Sequence, residues 1–164
     1  MLEPMMIDRH IRVRPARPED VGGVGAMARS LSPQSVRSRF MGSVSREFAI
    51  EALRHEIVAG HAEGEAFVAE DDGGTIVGEA YAAYLNPTEA EAAFVVSDAW
   101  QHHGVGTALR SALFDQLRSE GVKAVYLETL PENRALLQLV RDAGLPTKER
   151  FADGTITIRV ELPP

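Results

Sequence analysis

The stretch Ala90-Glu-Ala-Ala-Phe-Val-Val-Ser-Asp-Ala-Trp-Gln-His-His-Gly-Val-Gly-Thr-Ala-Leu-Arg-Ser-Ala-Leu113 decides the fold of this chain. Its apolar run at residues 92–96 does not alternate with polar residues, which predicts a strand buried on both faces. After several turn residues and Gly104-Val105-Gly106-Thr107, apolar residues recur at helical spacing. These are Leu109, Leu113, Phe114 and Leu117. The stretch therefore predicts a buried strand that passes through glycines into an amphipathic helix.

A junction of this kind is a binding site for anions. The first N–H groups of a helix have no partner within the helix, and the positive end of the helix dipole lies behind them. Phosphate is the usual ligand of such a helix start. Glycine suits the position because a side chain would keep the phosphate away from the backbone amides.

The spacing of the glycines restricts which class of phosphate compound the loop could bind. A Walker loop needs Gly-Lys-Ser/Thr, and no such triplet follows Gly106. A dinucleotide fingerprint needs a third glycine where Leu109 stands. What remains is Gln101-x-x-Gly104-x-Gly106-Thr107, which resembles the element of the GNAT superfamily of N-acyltransferases that holds the pyrophosphate of acyl-coenzyme A.

Length and composition predict one domain. A chain of 164 residues buries roughly two-thirds of its unfolded surface, and we assign residues 11–164 to this domain and residues 1–10 to a flexible leader. The chain lacks cysteine, which excludes disulfides and cysteine nucleophiles. No apolar run approaches the ~20 residues of a membrane span, so a cytoplasmic protein is expected. The net charge of −7 argues against a nucleic-acid surface.

The hydrophobic patterns predict the element order β-α-α-α-β-β-β-α-β-α-β-β. Outside the central stretch, the predicted strands cover residues 11–14, 67–69, 75–84, 123–130, 148–151 and 155–162. The predicted helices cover residues 18–31, 34–40, 46–59 and 131–143. This order predicts an α+β fold with a mixed, mostly antiparallel central sheet and helices on both faces, as the superfamily resemblance also implies.

A narrower resemblance lies outside the glycine loop. The segments Ile11-Arg-Val-Arg-Pro-Ala-Arg-Pro-Glu-Asp20, Leu31-Ser-Pro-Gln-Ser35 and Leu130-Pro-Glu-Asn-Arg134 are similar to the acetyltransferase domain of bacterial Pat-type protein-lysine acetyltransferases. Many of those enzymes carry a fused regulatory or synthetase-like domain, and the resemblance of this chain covers only the catalytic one. The resemblance therefore implies the catalytic domain and no mode of regulation.

The resemblance implies acetyl-CoA as cosubstrate and a set of residues that bind it. The backbone amides of the loop would hold the pyrophosphate, and the pantetheine would lie between two splayed strands, with a backbone N–H near Val96 facing the thioester oxygen. Ordinary sheet core explains the two valines equally well. The predicted cofactor-binding residues are Val95, Val96, Gln101, His102, His103, Gly104, Val105, Gly106, Thr107 and Asn133.

Glu91 is the candidate catalytic residue. A free lysine has a pKa of about 10.4 and is neutral in only about one molecule in a thousand near pH 7.4, so a base must take its proton. Glu91 lies ten residues before Gln101, where Pat-type enzymes carry their catalytic glutamate. A solvated glutamate at a strand edge is the alternative, and Glu128 and Glu79 are the reserve candidates.

No general acid is evident for the leaving group. Many superfamily members have a tyrosine seven residues after the position of Asn133, and here that position is Val140. A thiol leaves readily because its pKa is only about 8.5, so a dedicated acid is not essential. Asn133 itself could lie near the pantetheine or simply cap the last helix.

His102 and His103 stand where Pat-type loops usually have Gly-Arg. No second pair of His, Asp or Glu lies at ligand spacing, so no metal site is predicted. The two histidines are expected to contact phosphate or to be exposed to solvent.

The predicted function is transfer of an acetyl group from acetyl-CoA to a primary amine, by direct attack within a ternary complex. A protein lysine is the favoured acceptor, and a small amine or a protein N-terminus is the next. A non-catalytic acyl-CoA-binding regulator is the alternative of a different class. The sequence leaves the acyl chain preference and the oligomeric state open.

Overall fold

The computed structural model describes residues 5–7 and 11–164. Its strands are β1 (Met5–Ile7), β2 (Ile11–Pro15), β3 (Gly64–Asp71), β4 (Ile76–Asn86), β5 (Glu89–Val96), β6 (Ala124–Thr129), β7 (Thr147–Ala152) and β8 (Thr155–Glu161). Its helices are α1 (Val21–Ser30), α2 (Pro33–Phe40), α3 (Arg46–Ala62), α4 (Val105–Ser119) and α5 (Arg134–Arg141). Short 3₁₀ turns at Pro18–Asp20 and Asp98–Trp100 precede α1 and the glycine loop.

The strands form one sheet in the order β1-β2-β3-β4-β5-β6-β8-β7. Every neighbouring pair is antiparallel except β5 and β6, which are parallel. The predicted α+β class, the mostly antiparallel sheet and the predicted order of elements from β2 onward are therefore confirmed. Within the predicted leader, Met5–Ile7 form β1 and pair with β2, whereas residues 1–4 and 8–10 lie outside the described residues.

Each face of the sheet carries its own hydrophobic core. One core contains α4 and α5, including the fully buried Leu109 and Leu113. The other contains α1, α2 and α3, including the fully buried Leu53 and Ile57. The helices therefore cover both faces, as the sequence predicts, and the central strand β5 contributes side chains to each core.

The prediction that the central strand is buried on both faces is wrong for its first half. Ala90 and Ala92 are buried on the α4 side, and Val95 is buried on the α1–α3 side. Glu91 is exposed and Ala93 is only half-buried. Alanine is small and is found on covered and on exposed faces of a sheet alike. The apolar run therefore did not predict that the face of Glu91 and Ala93 is open to solvent.

A charged cluster lies buried between α2, α3 and β4. Glu79 is only 1% exposed and faces Glu56 of α3, which pairs with Arg39 of α2. Burial, followed by the neighbouring carboxyl of Glu56, raises the pKa of Glu79 well above its usual value, and Arg39 opposes this only in part. Because its carboxyl is sealed from solvent, Glu79 does not suit the reserve role of a base that meets an incoming amine.

The raised pKa of Glu79 predicts a stability that falls as pH rises. The unfolded chain loses this proton near pH 4.5, whereas the folded protein keeps it to a higher pH. The protonated carboxyl therefore stabilises the fold at low pH, and that contribution is lost as pH rises from about 4.5 through the folded pKa. Glu79→Gln should reduce this decline and be more stable than the wild type at pH 8.

The measurement is the free energy of unfolding by urea between pH 4.5 and 8, with the exposed Glu47→Gln as matched control. The control should follow the wild type. Equal pH profiles for Glu79→Gln and the wild type would contradict the account of this cluster.

Candidate functional site

The two parallel strands in the centre of the sheet separate after three residue pairs. β5 and β6 pair at Glu89↔Ala124, Ala90↔Val125 and Glu91↔Tyr126. Beyond these pairs β5 remains bonded to β4 as far as Val96, and β6 remains bonded to β8 as far as Thr129. The result is a V-shaped gap, which we call the strand gap, closed at Glu91 and Tyr126 and open at Val96. The resemblance implied splayed strands, and the split begins after Tyr126.

The backbone of Val96 faces the strand gap. The N–H of Ser97 donates to the carbonyl of Val77 on β4, at 2.8 Å. Because successive residues of a strand point their backbone groups to opposite sides, the N–H and C=O of Val96 point toward β6. Val95 is different, since its backbone pairs with Glu79 of β4 and its side chain is buried in the core under α1–α3.

The loop after β5 presents a row of free backbone amides. His102 has φ 65° and Gly104 has φ 83°, which curves the chain into a concave turn before α4. None of the N–H groups of residues 102–107 has an acceptor in the part of the chain that the structure describes. The first helical bond is made by Ala108, whose N–H donates to the carbonyl of Gly104 at 3.2 Å. Such a concave row of amides at a helix start binds anions.

The two loop histidines are both exposed. A left-handed backbone is strained for most residues and natural for glycine, which explains why Pat-type loops can have glycine at the position of His102. The ring of His103 lies 6.0 Å from that of Trp100, in an edge-to-face arrangement. Thr107 is also exposed.

Gly78 on β4 allows α4 to start close to the sheet. A Cβ at this position would lie 3.0 Å from Cδ1 of Leu109 and 3.2 Å from Cγ1 of Val105. A side chain here would therefore require Leu109 and Val105 at the helix start to shift by a few tenths of an ångström. Sequence reasoning missed this residue, although an isolated glycine in a strand pattern is the signal for a close backbone approach.

Gly106 is not required by the packing of the protein itself. A Cβ there would lie 3.7 Å from Cδ1 of Leu139 and 3.9 Å from Cγ2 of Val96, which are ordinary contact distances. The fold leaves room for a side chain at a residue whose amide belongs to the free row. The absence of a side chain at Gly106 is therefore explained better by the approach of a ligand than by packing in the core.

An acidic groove lies at the closed end of the strand gap, with a volume of about 410 Å³. It is lined by Glu89, Glu91, Glu128, Tyr126, Leu127, Leu85, Asn86 and Thr157. Glu91 and Tyr126 are the last paired residues of their strands, and Glu91 is exposed in the groove. Glu128 accepts a hydrogen bond from the hydroxyl of Thr155 at 2.9 Å.

Glu89 and Tyr126 belong to this groove and were missed in the sequence. The hydroxyl of Tyr126 donates to Oε2 of Glu89 at 2.7 Å and accepts from Nε of Arg159 at 3.1 Å. Hydrogen bonds from Asn86 and then Tyr126 lower the pKa of Glu89, which keeps this carboxylate charged. Glu89 lies two residues before Glu91 on β5, whereas Tyr126 comes beside Glu91 from β6 through the parallel pairing, which no local pattern marks.

The remaining predicted residues have clear structural surroundings. Asn133 caps α5, since its Oδ1 accepts from the N–H of Leu136 at 3.2 Å, while its Nδ2 makes no hydrogen bond within the described part of the chain. Gln101 is half-buried, and its side chain points inward to Ser35 and to the carbonyl of Val96. Val140 is 2% exposed in the core, which explains an apolar residue there.

The described residues contain neither a metal-binding cluster nor a membrane-spanning helix. No group of three or more His, Cys, Asp or Glu side chains is arranged to hold a metal ion within residues 5–7 and 11–164. Over the same residues, no helix has both the length and the apolar composition needed to cross a membrane.

Known proteins resemble this chain in sequence and in fold. The acetyltransferase (GNAT) family matches residues 32–145. A curated acetyltransferase of Pseudomonas aeruginosa is 31% identical over 155 residues, which cover 92% of this chain and 82% of that protein.

Solved structures share the fold. The GNAT domain of S. lividans PAT is similar with a TM-score of 0.80 and 24% identity, over 93% of this chain and 90% of that one. A phosphinothricin acetyltransferase of Sinorhizobium meliloti, solved in complex with acetyl-CoA, has a TM-score of 0.69 and 20% identity, over 93% and 88% of the two chains.

Gly106 gives a direct test of the amide row. Acetyl-CoA at 100 times its dissociation constant should stabilise the wild type by about 2.7 kcal/mol. Gly106→Glu should remove this gain, because its side chain covers the amides and adds a negative charge. The measurement is thermal unfolding with and without acetyl-CoA.

Gly106→Ala is the matched control, since the fold leaves space for a Cβ. Both variants should fold without ligand. A wild type whose melting curve does not respond to saturating acetyl-CoA would contradict the assignment of the site.

Proposed function

This chain belongs to the acetyltransferase (GNAT) family and is an acetyl-CoA-dependent N-acetyltransferase, and we propose that its acceptor is the side chain of a protein lysine. The observation that carries the proposal is the acidic groove at the closed end of the strand gap, where Glu91 is exposed. The amide row and the groove lie at opposite ends of this gap, so a cofactor held by its phosphates at one end would extend toward an acceptor at the other.

Cofactor binding would use the backbone more than side chains. The pyrophosphate would accept hydrogen bonds from the free N–H groups of residues 102–107, and the pantetheine arm would follow the strand gap. The N–H of Val96 would then donate to the thioester oxygen, where negative charge develops during attack. Removing one such donor typically costs ~2.7–4 kcal/mol of transition-state stabilisation.

The reaction would proceed by direct attack on the thioester. Glu91 takes a proton from the ammonium group, directly or through one water. The neutral amine nitrogen forms a bond to the carbonyl carbon, and the carbon–sulfur bond then breaks to release the coenzyme A thiolate. The nitrogen, which carries one proton too many after the attack, gives that proton to solvent water and becomes the neutral amide. The thiolate takes its proton from solvent, since a thiol with a pKa of about 8.5 is a good leaving group and Val140 cannot donate one.

The charges of the groove favour a cationic acceptor. Glu89, Glu91 and Glu128 border it, and Arg159 is bound to Tyr126 at one side. A lysine ammonium would be attracted by these carboxylates before it loses its proton. The groove is wide and open to solvent, and Leu85 at its edge is 53% exposed, which fits a side chain presented on the surface of another protein.

A panel of acceptors tests the proposed class. Radiolabelled acetyl-CoA is offered with a protein mixture, with lysine peptides whose N-terminus is blocked, with peptides whose only amine is the N-terminus, and with small diamines. Label on the blocked lysine peptides supports the proposal. Label on the other acceptors alone would replace lysine by that class, and no label on any of them would favour a binding module without turnover.

Substitution of Glu91 distinguishes an enzyme from a protein that only binds acetyl-CoA. Gln has nearly the same shape as Glu and no basicity, so Glu91→Gln should keep the fold and the affinity for acetyl-CoA. Turnover at pH 7 should fall ~10²–10⁴-fold, the usual contribution of a positioned base. Raising the pH should restore part of it, because more of the amine is then already neutral. The measurement is turnover against pH.

Glu128→Gln is the control for the charge of the groove, since Glu128 borders the same groove. It should weaken acceptor binding much more than the maximal rate. Full activity of Glu91→Gln at pH 7, together with a loss in Glu128→Gln, would transfer the role of base to Glu128.

A further inference from the structure

We propose that Gln101 is a positioning residue, whose side chain holds the backbone of Val96 and the start of α2 instead of binding the cofactor. The inference rests on the proposed function, since it assigns to Val96 the N–H that stabilises the thioester oxygen. It also changes the role that the glycine-loop pattern gives to Gln101, from a cofactor-binding side chain to a support behind the site.

The side-chain amide of Gln101 makes two hydrogen bonds inside the protein. Its Nε2 donates to the carbonyl of Val96 at 3.1 Å and to Oγ of Ser35 at 3.1 Å. Both hydrogens of the amide group are therefore used. A phosphate would have to break one of these bonds to reach Nε2, whereas the backbone N–H groups of residues 102–107 are free.

The hydrogen bond from Gln101 to the carbonyl of Val96 constrains the residue whose N–H faces the thioester in the proposed complex. The N–H and C=O of Val96 lie on the same side of the strand, toward the strand gap. β6 does not pair with this end of β5, so the gap side of Val96 has no partner from a strand. Gln101 supplies the missing constraint on the carbonyl, and Ser97, bonded to Val77 at 2.8 Å, fixes the other side of the same peptide.

The bond to Ser35 extends the constraint to α2. Ser35 is 9% exposed, and its hydroxyl donates to Oδ2 of Asp98 at 3.1 Å. The other oxygen of Asp98 accepts from the N–H of Ser32, the N-cap of α2, at 3.0 Å. Asp98 and Gln101 together therefore tie the start of α2 to the loop that carries the amide row.

The same helix reaches the other side of the strand gap. Arg37 of α2 pairs with Glu132, in the loop after β6, at 3.3 Å. This pair is exposed and weak by itself. Together with the network of Gln101, Ser35 and Asp98, it gives α2 polar contacts to the segments that follow both strands of the gap. The side chain of Gln101 thus connects the position of α2 with the position of the Val96 peptide.

The test separates positioning from cofactor binding. Gln101→Met has a similar shape and no donors, so both hydrogen bonds are lost. We expect kcat to fall at least about tenfold, because the oxyanion donor is no longer held. The dissociation constant for acetyl-CoA, measured by calorimetry, should stay within about twofold, since the backbone amides remain. Gln101→Arg keeps N–H donors and should recover most of the lost kcat.

Ser35→Ala is the second variant. It removes the hydrogen bond between Gln101 and α2 and leaves the sequence of the glycine loop unchanged. It should also lower kcat more than affinity. Hydrogen exchange of the α2 amides, measured by mass spectrometry without ligand, should be faster in both Gln101→Met and Ser35→Ala than in the wild type. This readout is far in sequence from Gln101 and would not respond to loss of a phosphate contact.

A rise of tenfold or more in the dissociation constant of Gln101→Met, with kcat and α2 exchange unchanged, would overturn the proposal and make the side chain a cofactor ligand. Unchanged values for all three measurements would overturn it too. If the wild type binds acetyl-CoA and acetylates no amine, the proposed function fails. Affinity and exchange of the two variants then still decide whether Gln101 holds Val96 and α2.

Discussion

The structure depends on one interruption of its sheet. β5 and β6 share only three residue pairs before they separate, and each strand keeps its other neighbour. Backbone groups in such a gap lack the partners that a continuous sheet would give them, and a polar group without a partner is costly unless water or a ligand supplies one. An extended molecule with amide groups along its length, such as the pantetheine arm, would complete the hydrogen bonding as an added strand does.

The two faces of the sheet give the two ends of this gap different chemistry. On the α4 side, Gly78 lets the helix start approach β4, and the free amides then lie at the open end. On the α1–α3 side, the helices leave Glu91 uncovered at the closed end. A row of free backbone amides and an acidic groove therefore lie at the two ends of one strand gap, although the chain has a net charge of −7. Backbone dipoles can bind an anion in a protein of this overall charge because they act at short range.

Local sequence patterns predicted the fold well, because most helices and strands begin and end at residues that favour such a boundary. Ser32 and Pro33 begin α2, and Gly104 ends the turn before α4, each by local geometry. The parts that the sequence did not predict depend on pairing between distant segments. Tyr126 joins the groove through its register with Glu91. Gln101 turns inward because Ser35, 66 residues away, lies within reach. Alanines at Ala92 and Ala93 fit a covered face and an open face equally well.

In the proposed complex, the N–H of Val96 donates a hydrogen bond to the thioester oxygen of acetyl-CoA inside the strand gap. A crystal structure of the chain with acetyl-CoA, or with a non-hydrolysable analogue, tests it directly through one distance. We expect the carbonyl oxygen of the acetyl group to lie about 2.7–3.2 Å from the backbone nitrogen of Val96. We also expect the pyrophosphate to contact the amides of residues 102–107. An acetyl group outside the gap, with its oxygen bonded to another donor, would show that Val96 does not have this role.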